Sequence, residues 1–207
     1  MKELINYLLQ FGQLTQQNIA YIQSKATEKT LKKDDYFSEA GKIAKEVAFI
    51  KQGILRVCYY NNKGDETTRY FIDEHNFAVD LNSFTTKIPS SEYVQAVTNC
   101  QLIVFSMDAL KDMSLNINGF DSIMSQITTK ALIEKVQRIS PMLAEDATSR
   151  YAHFLENYPL LAARIPLSLL ASYFNAETFD YWFDNQAFRH FRTSQYKSPI
   201  LNMFTSK

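Results

Sequence analysis

The chain has 207 residues, of which 46% are hydrophobic and 21% are charged, a composition typical of a packed globular protein rather than a disordered one. Lys and Arg together number 22, as do Asp and Glu, and this balance argues against a nucleic-acid coat or a polybasic membrane binder. The balanced charge is still compatible with a sequence-specific DNA-binding protein that has a small basic face. The N-terminus lacks an apolar secretory core and no apolar run is long enough to span a bilayer. We therefore expect a cytoplasmic protein with no membrane partner.

The sequence contains few groups typical of catalysis or metal binding. Cys58 and Cys100 each lie in a run typical of a β-strand, and we interpret them as buried thiols rather than a disulfide pair. The histidines, His75, His153 and His190, are scattered along the chain. No spacing is typical of a zinc or iron–sulfur site, and no nucleophile–base pair or glycine-rich phosphate loop is recognisable. The sequence thus predicts no enzyme activity, no metal and no cofactor.

The first half of the chain predicts short helices followed by a β-roll. Leu4, Ile5, Leu8 and Leu9 recur at helical spacing, and Thr15 is a suitable cap for a second helix. β-Branched and aromatic residues then form short runs separated by polar turns, at 29–33, 47–50, 54–60, 67–72, 77–79, 93–97 and 102–105. The turn-forming residues 61–65 predict a hairpin. Many short strands favour an antiparallel roll of the jelly-roll or double-stranded β-helix type.

A long helix is predicted after the roll. Ser106 is a good cap for a short helix, and residues 119–139 then run without proline or internal glycine. Their apolar face is wider than one roll requires, which favours a partner helix in a dimer. The predicted dimer-interface residues are Phe120, Ile123, Ile127 and Ala131. The alternative is a helix of the protomer's own core. Pro141 is predicted to end or kink this helix.

The remaining residues predict a small helical domain. One helix is expected over 144–158, and Pro166 suits the first position of another, which Asn175 would end. The predicted domains are therefore a β-roll sensor at 1–115, a dimerisation helix at 116–140 and a helical domain at 141–207. The overall fold class is α+β.

Three fragments, at 49–56, 61–66 and 151–173, resemble the Crp/Fnr family in their order along the chain. The last resembles the small-regulator branch common in Bacteroidetes. The resemblance implies a cyclic-nucleotide-binding-like roll and a C-terminal helix-turn-helix domain. It further implies a homodimeric transcription regulator whose partners are double-stranded DNA and an unknown small-molecule effector.

The family's phosphate-binding cassette corresponds by resemblance to 77–84 and the loop before Tyr93. Val79 stands in the place of a glycine, Asp80 replaces a glutamate, and no arginine follows, while Glu92 would repel a phosphate. We therefore expect no response to cyclic AMP. The candidate sensor-pocket residues are Asp80, Leu81, Asn82, Ser83, Phe84, Ser90 and Ser91. A loop kept only for its structure is the alternative.

The helix-turn-helix resemblance weakens after Asn175. Tyr181 and Phe183 stand where the family has arginines, and Asp180 and Asp184 add negative charge where phosphates would approach. The candidate DNA-binding residues are Ser168, Ser172, Glu177, Thr178, Tyr181, Arg189 and Arg192. The alternative function is a dimeric ligand- or protein-binding module that has lost sequence-specific DNA recognition.

Overall fold

Within the residues that the structure describes, eight strands form two four-stranded antiparallel sheets, which confirms the predicted roll. The computed structural model describes residues 1–61, 63–144 and 146–174, excluding the side chains of 139–144 and 148. The strand order is β1-β8-β3-β6 in the first sheet and β2-β7-β4-β5 in the second. The strands are β1 (Thr27–Leu31), β2 (Tyr36–Ser38), β3 (Glu46–Gln52), β4 (Leu55–Tyr60), β5 (Glu66–Ile72), β6 (Phe77–Ala78), β7 (Tyr93–Ala96) and β8 (Cys100–Ser106).

Alternate residues of the first sheet serve two separate cores, because successive side chains of a strand point to opposite faces. Ala48 and Ile50 of β3 lie in the core between the sheets, whereas Phe49 between them packs outward against helices. Strand β8 divides in the same way, with Leu102 inside and Ile103 outside. The roll is thus apolar on the inner and the outer face of this sheet.

The predicted hairpin joins β4 to β5. The two strands pair antiparallel from Leu55 opposite Ile72 to Tyr60 opposite Glu66. In the turn, the Asn61 side-chain oxygen accepts hydrogen bonds from the backbone N–H groups of Lys63 and Asp65 at 2.8 and 3.0 Å. This bonding explains why asparagine begins the turn. Asn62 lies outside the described residues.

Eight helices are formed within the described ranges 1–61, 63–144 and 146–174. They are α1 (Lys2–Leu8), α2 (Gln16–Lys25), α3 (Leu81–Thr86), α4 (Met107–Asn116), α5 (Phe120–Ala144), α6 (Ala147–Asn157), α7 (Pro159–Ala162) and α8 (Leu167–Phe174). The predicted caps are confirmed, since the hydroxyls of Thr15 and Ser106 accept hydrogen bonds from the N–H groups three residues ahead. In the part of the chain that the structure describes, no helix has the length and apolar character needed to cross a membrane.

One predicted helix end differs from the structure and another is confirmed. Helix α5 continues through Pro141 to Ala144, because a proline removes one backbone hydrogen bond but need not end a helix close to its last turn. The helix expected over 144–158 does end before Pro159: α6 ends at Asn157, and Pro159 occupies the first position of α7, where its missing N–H has no helical partner to lose. Asn175, the predicted end of α8, lies outside the described residues.

Candidate functional site

A cavity of about 280 Å³ lies where the open side of the roll meets α5. We call it the α5 cavity. Apolar and aromatic side chains form most of its wall, including those of Tyr70, Ile72, Phe77, Val79, Leu81, Phe84, Met124, Ile127 and Leu132. These residues come from β5, β6, α3, α5 and the link between β6 and α3, and Tyr173 of α8 adds a further part of the wall. A mostly apolar cavity with a few polar groups is typical of a small-molecule site.

The charged residues of the α5 cavity are Asp73, Glu134, Lys135 and Arg138. The Arg138 guanidinium donates a 3.3 Å hydrogen bond from Nη1 to the Phe71 carbonyl, while its Nε is buried without a hydrogen-bond partner. The Lys135 ammonium lies 4.0 Å from the centre of the Tyr70 ring. Both cations are thus held by a carbonyl or an aromatic face, interactions weaker than an ion pair.

A second, more polar cleft of about 620 Å³ adjoins the α5 cavity and shares Tyr7, Asp73, Asn76, Glu134 and Arg138 with it. Its other walls come from α1, the turn between β5 and β6, and the outer face of α5. The two spaces are therefore neighbours that share one wall.

The cassette segment uses its polar groups for internal bonds. The Asp80 carboxylate accepts a 3.0 Å hydrogen bond from the Ser83 N–H and so caps α3, and the Ser83 hydroxyl accepts the Ala44 N–H at 3.0 Å. The Ser90 hydroxyl bonds both backbone groups of Glu92. A phosphate at the start of α3 would therefore meet a carboxylate that already occupies the helix N-terminus.

The other predicted sensor residues divide into two groups. Leu81 and Phe84 border the α5 cavity. Asn82 and Ser91 are exposed and lie away from its wall. The cavity therefore contains two of the seven predicted residues, Leu81 and Phe84, and neither is a polar one.

Three of the predicted dimer-interface residues lie inside the protomer, as in the alternative of a core helix. Phe120, Ile123 and Ile127 are only 3–4% exposed and pack in the protomer's own core with the first helices and the outer face of the first sheet. Ala131 is exposed and borders the α5 cavity. Periodicity alone does not distinguish the two cases, because apolar residues have the same spacing on a helix face that packs in the core and on one that packs against a partner helix.

The exposed apolar residues of α5 follow later in the helix. Leu132, Ile133 and Val136 have 55%, 53% and 62% of their surface exposed. The first half of α5 thus packs in the core, whereas Leu132, Ile133 and Val136 lie at the surface.

Helices α6 to α8, the helical head, pack on the second sheet. Ile54 and Phe71 of the roll share one apolar cluster with Phe154, Leu170 and Tyr173 of the head. Burial raises the pKa of Tyr173 to about 12, against a smaller opposing effect of the nearby Arg138 charge. The aromatic cluster therefore keeps this phenol neutral.

Two polar contacts fix the head to the roll. The Ser172 hydroxyl accepts the Thr68 N–H at 2.8 Å and donates to the Glu66 carbonyl at 3.2 Å, so it pairs with the outer edge of β5. Arg164 donates two hydrogen bonds, of 2.8 and 2.6 Å, to the Glu74 carboxylate.

The candidate DNA-binding residues are only partly described. Ser172 contacts the roll, and Ser168 is exposed on α8. Glu177, Thr178, Tyr181, Arg189 and Arg192 lie outside the described residues.

The residues that sequence reasoning missed are Tyr70, Lys135, Arg138 and Tyr173. A signal for the two cations was present, because Thr128, Ala131, Lys135 and Arg138 recur at steps of three and four and so share one helix face. Nothing local in the sequence indicates that Tyr173, on another helix, completes the wall of the cavity.

Residues 28–116 match the family model of the cyclic nucleotide-binding domain. The matched part contains the two-sheet roll described above and is similar to that domain in sequence. No curated protein sequence matches the chain.

Solved structures show the same fold. A cyclic nucleotide-binding domain from Methylobacillus flagellatus is 20% identical, with a TM-score of 0.59 over 68% of this chain and 82% of its own. FixK2 from Bradyrhizobium japonicum is 14% identical, with a TM-score of 0.67 over 82% of this chain and 86% of its own. A protein assigned to the Crp/Fnr family of transcriptional regulators, from Eubacterium rectale, is 14% identical, with a TM-score of 0.65 over 91% of this chain and 88% of its own.

Proposed function

We propose that this protein is a Crp/Fnr-type, DNA-binding transcriptional regulator that responds to a small molecule other than cyclic AMP. The observation that carries the proposal is the order of parts: a cyclic nucleotide-binding roll, the long helix α5 and a helical head. The similarity to the Crp/Fnr-family structure extends over 91% of the chain and so includes more than the roll.

The cassette supports the absence of a cyclic AMP response. Asp80 already caps α3, and no arginine lies between α3 and β7 to pair with a phosphate. Saturating cyclic AMP should therefore leave the thermal unfolding midpoint unchanged. A rise of several degrees would show that the nucleotide binds the folded protein, and would end this part of the proposal.

The proposed active form is a homodimer joined through the second half of α5. Leu132, Ile133 and Val136 present an apolar surface there, whereas an isolated helix of a soluble protomer is usually polar on its exposed side. A dimer would place two helical heads side by side, as binding to two half-sites of DNA requires.

DNA binding is tested by fluorescence anisotropy with random duplex DNA at about 50 mM salt, where phosphate contacts are strongest. We expect binding that weakens as salt rises. The double variant Arg189→Gln/Arg192→Gln should bind more weakly and lower the slope of log K against log salt by about 2. Arg69→Gln, at an exposed arginine of the roll, is the matched control and should change nothing. No binding by the wild-type chain at this salt concentration would overturn the DNA-binding function.

A second candidate is a dimeric ligand- or protein-binding module without DNA recognition. The contact of Ser172 with β5 favours it, because this predicted DNA-binding hydroxyl is used inside the protein. The aromatic and acidic residues after Asn175 favour it too. Dimer formation without DNA binding in the same assays would support this candidate.

A further inference from the structure

The α5 cavity has an apolar interior and two cations on one helix face. We propose that it binds an amphipathic carboxylate, with an aliphatic body of about eight carbons against the apolar walls and its carboxylate paired with Arg138 and Lys135. The inference rests on the proposed sensor function of this cavity, and it names the chemical class of the effector.

The walls determine the body of the ligand. Leu81 and Phe84 of α3, Phe77 of β6, and Met124 and Leu132 of α5 all border the space. Burying an aliphatic chain among such side chains is favourable by the hydrophobic effect, whereas a sugar or a second charge there would lose its hydrogen bonds to water.

The volume limits the size of the ligand. A cavity of about 280 Å³ corresponds to about nine water molecules at ~30 Å³ each, and so to a ligand of about ten non-hydrogen atoms. A medium-chain carboxylate matches it.

Arg138 determines the charge of the ligand. Its Nε is buried without a hydrogen-bond partner, and its guanidinium carbon lies 4.5 Å from the centre of the Tyr158 ring. Among the described residues, the ion pairs include neither Arg138 nor Lys135. A carboxylate would give the guanidinium a charge-assisted, two-pronged partner in place of a single carbonyl.

The two carboxylates of the cavity are already engaged. Glu134 forms an ion pair with Lys130 at 3.2 Å, and Asp73 accepts a 3.0 Å hydrogen bond from the Asn76 amide. Lys130 offsets the charge of Glu134, so Asp73, Lys135 and Arg138 together leave one net positive charge, which favours an anion over a cation.

The same ligand would contact the helical head. Tyr173 of α8 borders the cavity and also packs on Phe71 of the roll, with ring centres 5.3 Å apart. Occupation of the cavity would thus change the surroundings of a residue that holds the head to the roll. The ligand could therefore bind one arrangement of head and roll more tightly than another, and a ligand can shift a conformational equilibrium only by such a difference.

The test is isothermal titration calorimetry of the full chain with octanoate, and with octan-1-ol as the neutral control of the same body. Octanoate should bind at least tenfold more tightly than octan-1-ol. Arg138→Met should weaken octanoate binding by about 10- to 100-fold, as expected for loss of a charged hydrogen bond, and should leave octan-1-ol unaffected. Arg138→Lys should restore part of the affinity, and Arg69→Met, outside the cavity, should have no effect.

Equal affinity for octanoate and octan-1-ol would overturn the proposal, as would unchanged octanoate binding by Arg138→Met. If that variant does not fold, the comparison of the two ligands on the wild-type chain decides. Failure of DNA binding is a separate result: it would refute the regulator and leave octanoate binding intact, whereas loss of octanoate binding alone would refute only the effector class.

Discussion

Replacing Glu74 with glutamine tests the contact that joins the roll to the head. Burial alone would raise the pKa of Glu74, but the hydrogen bonds from Arg164 and from the Gly53 N–H outweigh it and lower the pKa to about 2. Compared with an ordinary value of 4.5, this pKa corresponds to about 3 kcal/mol of stability when the carboxylate is charged. Since 40% of the Arg164 side chain is exposed, solvent screening reduces the expected contribution to about 1.5 kcal/mol.

The pH dependence has a definite sign. Because the pKa is lower in the folded chain, the contribution is complete above about pH 5 and is lost as the pH falls toward about 2. In urea unfolding followed by circular dichroism, Glu74→Gln should lower the free energy of unfolding by about 1.5 kcal/mol at pH 7 and by less at pH 4. Glu39→Gln, in the exposed pair with Lys42, is the control and should cost less than about 0.5 kcal/mol at either pH. The reasoning is refuted if the two variants lose equal stability, or if Glu74→Gln retains the wild-type slope against pH.

Three further predictions follow from the packing. Ile127→Asp should destabilise the protomer by about 3–5 kcal/mol, because it buries a charge in an apolar cluster, and an unchanged thermal midpoint would contradict this. Ile133→Asp should halve the mass in light scattering and lower the midpoint less than Ile127→Asp, because only the contribution of dimer formation is lost, and a persistent dimer would place the interface elsewhere. Ser172→Ala should cost about 1–3 kcal/mol in urea unfolding by leaving edge groups of β5 unpaired, whereas a loss below about 0.5 kcal/mol would show that water replaces the hydroxyl.

The roll was predictable because its signals are local. The strand at 67–72 and the turn beginning at Asn61 are each signalled within a few residues, and both are confirmed. Strand β2 (Tyr36–Ser38) was missed, because three residues carry no periodic signal and the strand exists only by pairing with β7 across a register shift. Helix α7 was missed for the same reason, since a single turn depends on its tertiary contacts.

The candidate site was less predictable than the fold. The α3 segment was identified only through its resemblance to the family's phosphate-binding cassette, and the role of Asp80 as the helix cap emerges from the structure. The α5 cavity instead combines Leu81, Arg138 and Tyr173, which belong to three distant helices, and only the packing of the chain brings them together. The polarity of the site was misjudged as well. The serines of the cassette region satisfy backbone groups nearby, and the cations of the cavity come from α5.

The position of α8 determines where a DNA-binding function would have to reside. In a helix-turn-helix motif the second helix reads the bases, while the first crosses the DNA backbone. By resemblance, α8 is the first of the two, so the packing of Ser172 and Tyr173 on the roll would remove a contact with the DNA backbone rather than a base-reading surface. Base recognition would depend on residues after Phe174, where Tyr181 and Phe183 replace arginines and Arg189 and Arg192 follow. The slope of log K against log salt therefore measures the contribution of that segment to DNA binding. Variants of α8 instead measure the free energy with which the head packs on the roll.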